Sequence, residues 1–204
     1  DIRGLPKLEG TAQVNMVLIL KFIENFLFNP SNLPELPKND SLGNDAFMFT
    51  QGATSKAQNK ILFHDYNKAY EQFKQLENVK IFLTQIDAYK YLVKNCEPEK
   101  NQTRDLDFML IYGELFTLVA YGQLILEAAK IENLDIDLVD QIFDFMVRDF
   151  SKYAVQLYSK TSSTPAQMEA CLKMVKKPLA NPERYERVTK EYVYSLAGEY
   201  AMNP

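Results

Sequence analysis

The chain has 204 residues, of which 47% are hydrophobic, 25% are charged and only 7 are glycine. That length can bury one sizeable core, and the composition is that of a globular protein rich in long helices. The formal net charge of -4, with no concentration of Lys and Arg, argues against a nucleic-acid surface because phosphate binding needs clustered cations.

The two cysteines, Cys96 and Cys171, have neither metal-ligand spacing nor the pattern of a disulfide framework. We expect both to be core thiols in a reducing compartment, since cysteine is among the residues most often buried. No uninterrupted apolar run approaches the ~20 residues that cross a bilayer, and no signal-peptide pattern opens the chain. The sequence therefore predicts a protein that is neither secreted nor transmembrane, in a bacterial cytoplasm or another reducing compartment.

The first predicted helix covers residues 11–28. Its apolar residues recur at Val14, Leu18, Phe22 and Phe26, which is the spacing of one broad buried face. The next stretch, NPSNLPELPKNDSLGND, is rich in Pro, Asn and Ser and predicts an irregular loop. It is the natural internal boundary of the chain.

Six further helices are predicted after this loop. Apolar residues at three- and four-residue spacing define them, and helix breakers separate them. Their predicted ranges are 55–76, 79–96, 103–131, 136–160, 165–177 and a last helix that starts at residue 182. Short turns between antiparallel helices predict an all-α, up-and-down helical bundle.

Several residues have predicted structural roles in this bundle. The segment FMLIYGELFTLVAYGQLIL is apolar on nearly every side, so it predicts the most buried helix, in which Gly113 and Gly122 permit close helix contacts. Thr164 and Gln167 have the spacing of a capping box. These residues have predicted roles in folding and do not indicate a catalytic or binding site.

Aspartates near the start of helix 136–160 could be read as a metal site. Asp135, Asp137 and Asp140 are better explained as first-turn residues, which a helix N-terminus stabilises. Asp140 and Asp144 also fall between the apolar positions of this helix and are predicted to lie on its wet face.

Common catalytic patterns are absent from the sequence. His64 is the only histidine, which excludes a site built from several imidazoles, and we expect it at a surface or helix flank without a function. Neither a GxGxxG fingerprint nor a Walker phosphate loop occurs, which excludes self-contained nucleotide binding of those kinds.

One motif remains, KLEGTAQVN at residues 7–15. By itself it fits a helix start, with Thr11 as the cap and Gly10 as a hinge. The wider string, from Arg3 through Glu9 to Gln13, resembles the C-terminal active-site motif of the acyl-CoA dehydrogenase family, in which Glu-Gly-Thr precedes the last helix of the catalytic core. The order that follows, a helix, a proline-rich loop and a helical bundle, is similar to the extended members of very-long-chain type and to bacterial relatives.

The resemblance implies a role for each residue of the motif. Glu9 is the expected catalytic general base, which removes a proton from the carbon next to an acyl thioester during fatty acid β-oxidation. Gly10 is the expected substrate-binding position, where the thioester approaches the backbone closely. Thr11, Ala12 and Gln13 match the positions that contact FAD.

The resemblance also divides the chain into parts and implies partners. Residues 1–28 correspond to the end of the catalytic core, 29–54 to a linker and 55–204 to the appended helical bundle. Acyl-CoA is the implied substrate, electron-transfer flavoprotein the implied electron acceptor, and a homodimer or larger oligomer the implied assembly of the parent protein. We expect the bundle to mediate packing within or between subunits rather than peripheral membrane contact, because its acidic balance disfavours anionic lipid.

The start of the chain bears on activity. A chain that begins at Asp1 rather than Met is expected to be a piece of a longer protein. The domains with which the family mainly binds FAD are not found in it, so the isolated chain is expected to be inactive. The alternative from another functional class is a non-catalytic helical interaction module, in which LEGT is only a helix cap.

Overall fold

The computed structural model describes residues 12–32 and 61–199. Within these two ranges the regular elements are helical, and one isolated parallel bridge joins Ser31 to His64. The helices are α1 (Ala12–Ile19), α2 (Ile23–Phe28), α3 (Asn67–Phe73), α4 (Glu77–Asn95), α5 (Leu106–Glu132), α6 (Ile136–Tyr158), α7 (Pro165–Met174) and α8 (Pro182–Tyr192). The protein is an all-α helical bundle, as the sequence predicts.

The central helices alternate in direction. Asn78 at the start of α4 binds Asp140 near the start of α6, so these two helices run the same way. Lys160, just beyond the end of α6, forms an ion pair with Asp107 at the start of α5, so α5 runs against α6. The arrangement of α4, α5 and α6 is therefore up, down and up, with short connections.

Helix α7 adds a fourth, antiparallel member. Gln167 near its start donates a hydrogen bond of 3.2 Å to the carbonyl of Cys96, at the end of α4. The last residue of α7, Met174, accepts a bond of 2.8 Å from Gln85 in the middle of α4. These contacts confirm the up-and-down prediction for α4–α7.

The core is built around α5. Its Gly122 lies against the Tyr70 hydroxyl and Met146, where a larger residue would not fit, and Gly113 lies against Met16 of α1. Ile23, Phe26 and Leu27 of α2 belong to the same hydrophobic core. The predicted close contacts at both glycines are thus confirmed, and α1 and α2 pack onto the bundle.

Helix α5 is also long and apolar enough, by length and composition, to cross a membrane, the one such helix in the two described ranges. In this fold many of its side chains are buried among the other helices. Core helices and membrane spans share these properties, so the expectation of no membrane anchor stays a prediction.

The predicted helix over 55–76 is wrong in its described part, because only Asn67–Phe73 is helical there. The preceding residues bond to another segment instead. The carbonyl of Phe63 accepts a bond from the Ser31 N–H at 2.8 Å, and the carbonyl of Ile61 accepts one from Asn25. These pairings with residues 25–31 replace helical bonds, a long-range effect that local periodicity does not reveal.

Side-chain caps set most of the other helix starts. Asp105, Asp135 and Asn181 each accept a bond from a first-turn N–H, and Thr164 and Gln167 form the predicted capping box. The predicted first helix is broken into α1 and α2 by a 3-10 turn at Leu20–Phe22. Helix α7 ends three residues before its predicted end at 177.

The linker predicted at 29–54 lies mostly outside the described residues. Its first four residues, 29–32, are non-helical. The division into 1–28, 29–54 and 55–204 stays a prediction.

Candidate functional site

The motif singled out from the sequence lies at the edge of the described structure. Glu9, Gly10 and Thr11 are outside the described residues, whereas Ala12 and Gln13 are the first two residues of α1. The predicted start of the first helix at residue 11 lies outside the described residues, and the described part of α1 begins at Ala12.

The inner side of α1 is anchored on α5. The Met16 sulfur accepts a hydrogen bond from the Thr117 hydroxyl at 3.4 Å, and Leu20 lies beside Gly113. Further along, Phe26 of α2 stacks on Tyr66 with ring centroids 5.3 Å apart. The helix that carries the end of the motif is thus held at a fixed position on the bundle.

The solvent-facing side of α1, together with the residues beside α2, is unusually apolar. Val17 and Leu18 of α1 are 41% and 52% exposed, although the sequence predicts Leu18 within the buried stripe. Ile61, whose carbonyl accepts a bond from Asn25 of α2, and its neighbour Leu62 are exposed as well. The buried face of the two helices is formed instead by Ile23, Phe26 and Leu27, with Met16 and Leu20 partly buried. A peripheral helix of an isolated bundle normally turns a polar face outward, so this apolar side is the exception.

A second candidate site is the buried ion cluster between α6 and α8. The Arg184 guanidinium forms an ion pair with Asp140 and lies 3.9 Å from an Asp144 carboxylate oxygen. Its Nε donates to Gln141 at 3.2 Å, and another nitrogen donates to the Leu179 carbonyl at 3.3 Å. The prediction that Asp140 and Asp144 lie on a wet face is wrong, since both are buried and face Arg184.

This cluster borders a cavity of about 480 Å³, which is lined by Glu77, Leu179, Asn181 and Glu183 among others. The charges of the cluster are already matched within the protein, because Arg184 pairs with Asp140 and Arg148 of α6 lies 2.5 Å from Asp144. Such a group stabilises the position of α8 and offers no unpaired charge to a substrate.

The other reactive side chains have structural roles. Cys96 and Cys171 are buried free thiols, as predicted. Burial raises the pKa of both, that of Cys171 to about 12, which disfavours the reactive thiolate. The backbone of His64 bridges to Ser31. Over residues 12–32 and 61–199, no group of His, Cys, Asp and Glu is placed to hold a metal ion.

The implied FAD contacts stay a prediction. Thr11 lies outside the described residues, and Ala12 and Gln13 are described only as the first residues of α1. Comparison of the chain with protein-family models, with curated proteins and with solved structures finds no match.

Proposed function

We propose that the chain is the C-terminal part of an FAD-dependent acyl-CoA dehydrogenase, with Glu9 as the general base. The observation that carries the proposal is the string from Arg3 to Gln13, which contains Glu9-Gly10-Thr11 directly ahead of a helix. In the family that the string resembles, this tripeptide also precedes a helix. The alternative explanation as a simple helix start accounts for Thr11 as a cap and Gly10 as a hinge, but it gives Glu9 no role.

The apolar outer side of α1 supports the same proposal. Val17 and Leu18 face outward although burial of large aliphatic side chains is favourable by ~1.5–3 kcal/mol each. Additional protein that packs on this side would recover that free energy. The remainder of a catalytic core, continuous with the motif, is the candidate for such a cover.

The proposed chemistry is proton removal from the carbon next to the thioester carbonyl. Glu9 takes this proton, and its backbone N–H is one of the donors that polarise the carbonyl. A bound acyl chain excludes water, which makes a nearby carboxylate a stronger base. FAD supplies the hydride acceptor when it is bound, and electron-transfer flavoprotein is the proposed electron acceptor.

The first experiment is an absorbance spectrum of the purified full-length parent protein. We expect flavin bands that bleach on anaerobic addition of one of several acyl-CoA substrates of different chain length. The substrate that bleaches them fastest would rank the preferred length. A colourless protein that remains colourless after addition of FAD would contradict the proposal.

A pair of glutamate variants tests the role of Glu9. Replacement of a general base typically costs ~10²–10⁴-fold in rate, so E9Q in the parent should lose at least about 100-fold of its acyl-CoA oxidation and retain bound flavin. Glu24 is an exposed glutamate of the neighbouring helix α2, and E24Q should oxidise acyl-CoA at the wild-type rate. Equal rates for E9Q and wild type would reject Glu9 as the base.

The interaction-module alternative draws on the same exposed side chains. Val17, Leu18, Ile61 and Leu62 could contact a partner protein in a molecule with no cofactor. The two functions differ in one property, because only the dehydrogenase binds flavin. The spectrum described above therefore distinguishes them directly.

A further inference from the structure

The last described segment is attached to the bundle differently from the other helices. We call residues 175–199 the C-terminal arm; it comprises a non-helical strap over 175–181, helix α8 and a 3-10 turn at Tyr194–Leu196. Of the 11 residues of α8, only Arg184 and Val188 are buried. Large apolar residues of the arm, including Tyr185 and Tyr194, are exposed. Apolar burial therefore contributes little to the docking of the arm.

Arg184 provides the inner attachment. It is 8% exposed and enters a space between two carboxylates, Asp140 and Asp144, which lie one turn apart on α6. Two like charges this close disfavour each other. The Arg184 guanidinium compensates Asp140, and Arg148 of α6, 2.5 Å from Asp144, compensates the second carboxylate. The Arg184 side chain is thus the main polar link between α8 and α6.

Arg187 provides the outer attachment, one turn further along α8. Its guanidinium lies 2.7 Å from carboxylate oxygens of both Asp135 and Asp137, at the start of α6. The hydroxyl of Tyr192 adds a bond of 3.3 Å to Asp135. Because the Arg187 side chain is 41% exposed, salt can screen these pairs.

The strap is also held by polar contacts. Asn78 of α4 accepts a bond from the Leu179 N–H at 2.8 Å and donates one to its carbonyl at 3.3 Å. The hydroxyl of Ser151 accepts a bond from the Lys176 N–H at 2.9 Å. A non-helical segment of this kind can change its backbone angles without melting either neighbouring helix, as a hinge does.

We propose that the C-terminal arm is held on the bundle mainly by ion pairs and polar contacts, and that it detaches as a unit while helices α1–α7 stay folded. We call this arrangement a latch. Opening uncovers both carboxylates: Asp140 exchanges its guanidinium for water, whereas Asp144 keeps its ion pair with Arg148 of the same helix. The arm is then sensitive to ionic strength in a way that the apolar core is not. This device is independent of the proposed enzymatic function.

Hydrogen exchange on the full chain, followed by mass spectrometry, tests the latch. In R184Q we expect the amides of α8 to lose at least about tenfold of their protection, since a hydrogen bond to a charged group is lost. R187Q, at a half-exposed position where misfolding is not expected, should give a smaller loss in the same amides. Amides of α4, α5 and α6 should keep their wild-type protection in both variants.

Lys190 supplies the matched control. It is an exposed cation on the same helix, so K190Q removes the same charge away from the acidic residues of α6 and should exchange like the wild type. About 1 M NaCl, at which the Debye length is about 3 Å, should speed exchange in the arm of both wild type and K190Q and leave exchange in α4, α5 and α6 unchanged. Parallel loss of protection in arm and bundle would overturn the proposal, as would R184Q and R187Q variants that match K190Q.

Discussion

At the scale of single residues, the contact at Gly122 gives the sharpest prediction. A methyl group there would overlap the hydroxyl of Tyr70, which donates a buried bond of 2.8 Å to the Val119 carbonyl. We expect G122A to lower the free energy of unfolding by about 1–3 kcal/mol, the usual cost of overpacking a core. Urea denaturation followed by circular dichroism measures the difference.

Gly113 is the control for that substitution. A methyl group at this position would meet the Met16 side chain at 2.8 Å, and methionine is flexible and lies at the edge of the core. Alanine is also favoured over glycine in a helix by about 1 kcal/mol. G113A should therefore change stability by less than about 1 kcal/mol, and a larger loss there than in G122A would refute this account.

The sequence predicts contacts between residues that are close together in the chain, and it misses contacts between residues that are far apart. Thr164 and Gln167 are three residues apart, so their capping box is visible in the sequence. Gln102, whose side chain exchanges two hydrogen bonds with Gln167, lies 65 positions away and gives no such signal. Asp140 was expected on a wet face for the same reason, since Arg184 follows it by 44 positions.

At the scale of elements, the docking of α8 should depend on pH through Asp135. Partial burial acts to raise the pKa of this carboxyl, but the Asp137 N–H, the Arg187 guanidinium and the Tyr192 hydroxyl outweigh it, and the pKa lies below its ordinary value. A lowered pKa in the folded state adds stability above pH ~4, where the unfolded group is also ionised. That stability is lost as the pH falls below this value.

The variant D135N isolates this effect, because asparagine caps a helix as well as aspartate does and carries no charge. At pH 7 we expect faster hydrogen exchange in α8 of D135N than of the wild type. The difference should shrink as both proteins are taken below pH ~4. Asp149, an exposed aspartate of the same helix, provides the control D149N. A difference between D135N and wild type that does not change with pH would contradict the assignment.

The sequence predicts most elements because the signals that begin and end them are local. The observed bounds of α4, α6 and α8 lie close to the predicted ones, and α6 and α8 begin at capping side chains, whereas α4 does not. The start of α3 does not, because the residues before it bond to the segment around Ser31. The exposed side of α1 is likewise invisible to periodicity, since apolar residues occur on both its faces.

At the scale of the whole molecule, the alternation of α4–α7 was predictable from short connections. The catalytic role proposed for Glu9, by contrast, falls outside the described residues and stays a prediction. The core that joins the elements is aromatic. Tyr70 stacks on Phe82. The Phe82 ring also makes edge-to-face contacts with both Phe143 and Phe150. Tyr89 continues this network to Tyr112. The ring network therefore connects α3, α4, α5 and α6 into one cooperative unit.

This core predicts how the whole protein responds to alkali. Burial, followed by nearby charged or phenolic groups, raises the pKa of Tyr66, Tyr70, Tyr89 and Tyr112 above the ordinary value for tyrosine. Unfolded tyrosine ionises near pH 10, so above that pH the unfolded chain loses protons that the folded chain retains. The stability that the buried phenols contribute is complete below pH ~10 and is lost as the pH rises.

The chain has 12 tyrosines and no tryptophan, so tyrosinate absorbance in the near ultraviolet reports the ionisation of its tyrosines directly. We expect a first step of tyrosine ionisation during which the helical circular dichroism persists. A second ionisation step should coincide with loss of helix. Y66F removes a buried phenol whose hydroxyl has no hydrogen-bond partner among the described residues. It should move that step to higher pH relative to the exposed control Y121F, because one fewer phenol gains from ionising in the unfolded chain. Ionisation of all tyrosines in one step, with the helices intact, would show that the aromatic core admits solvent.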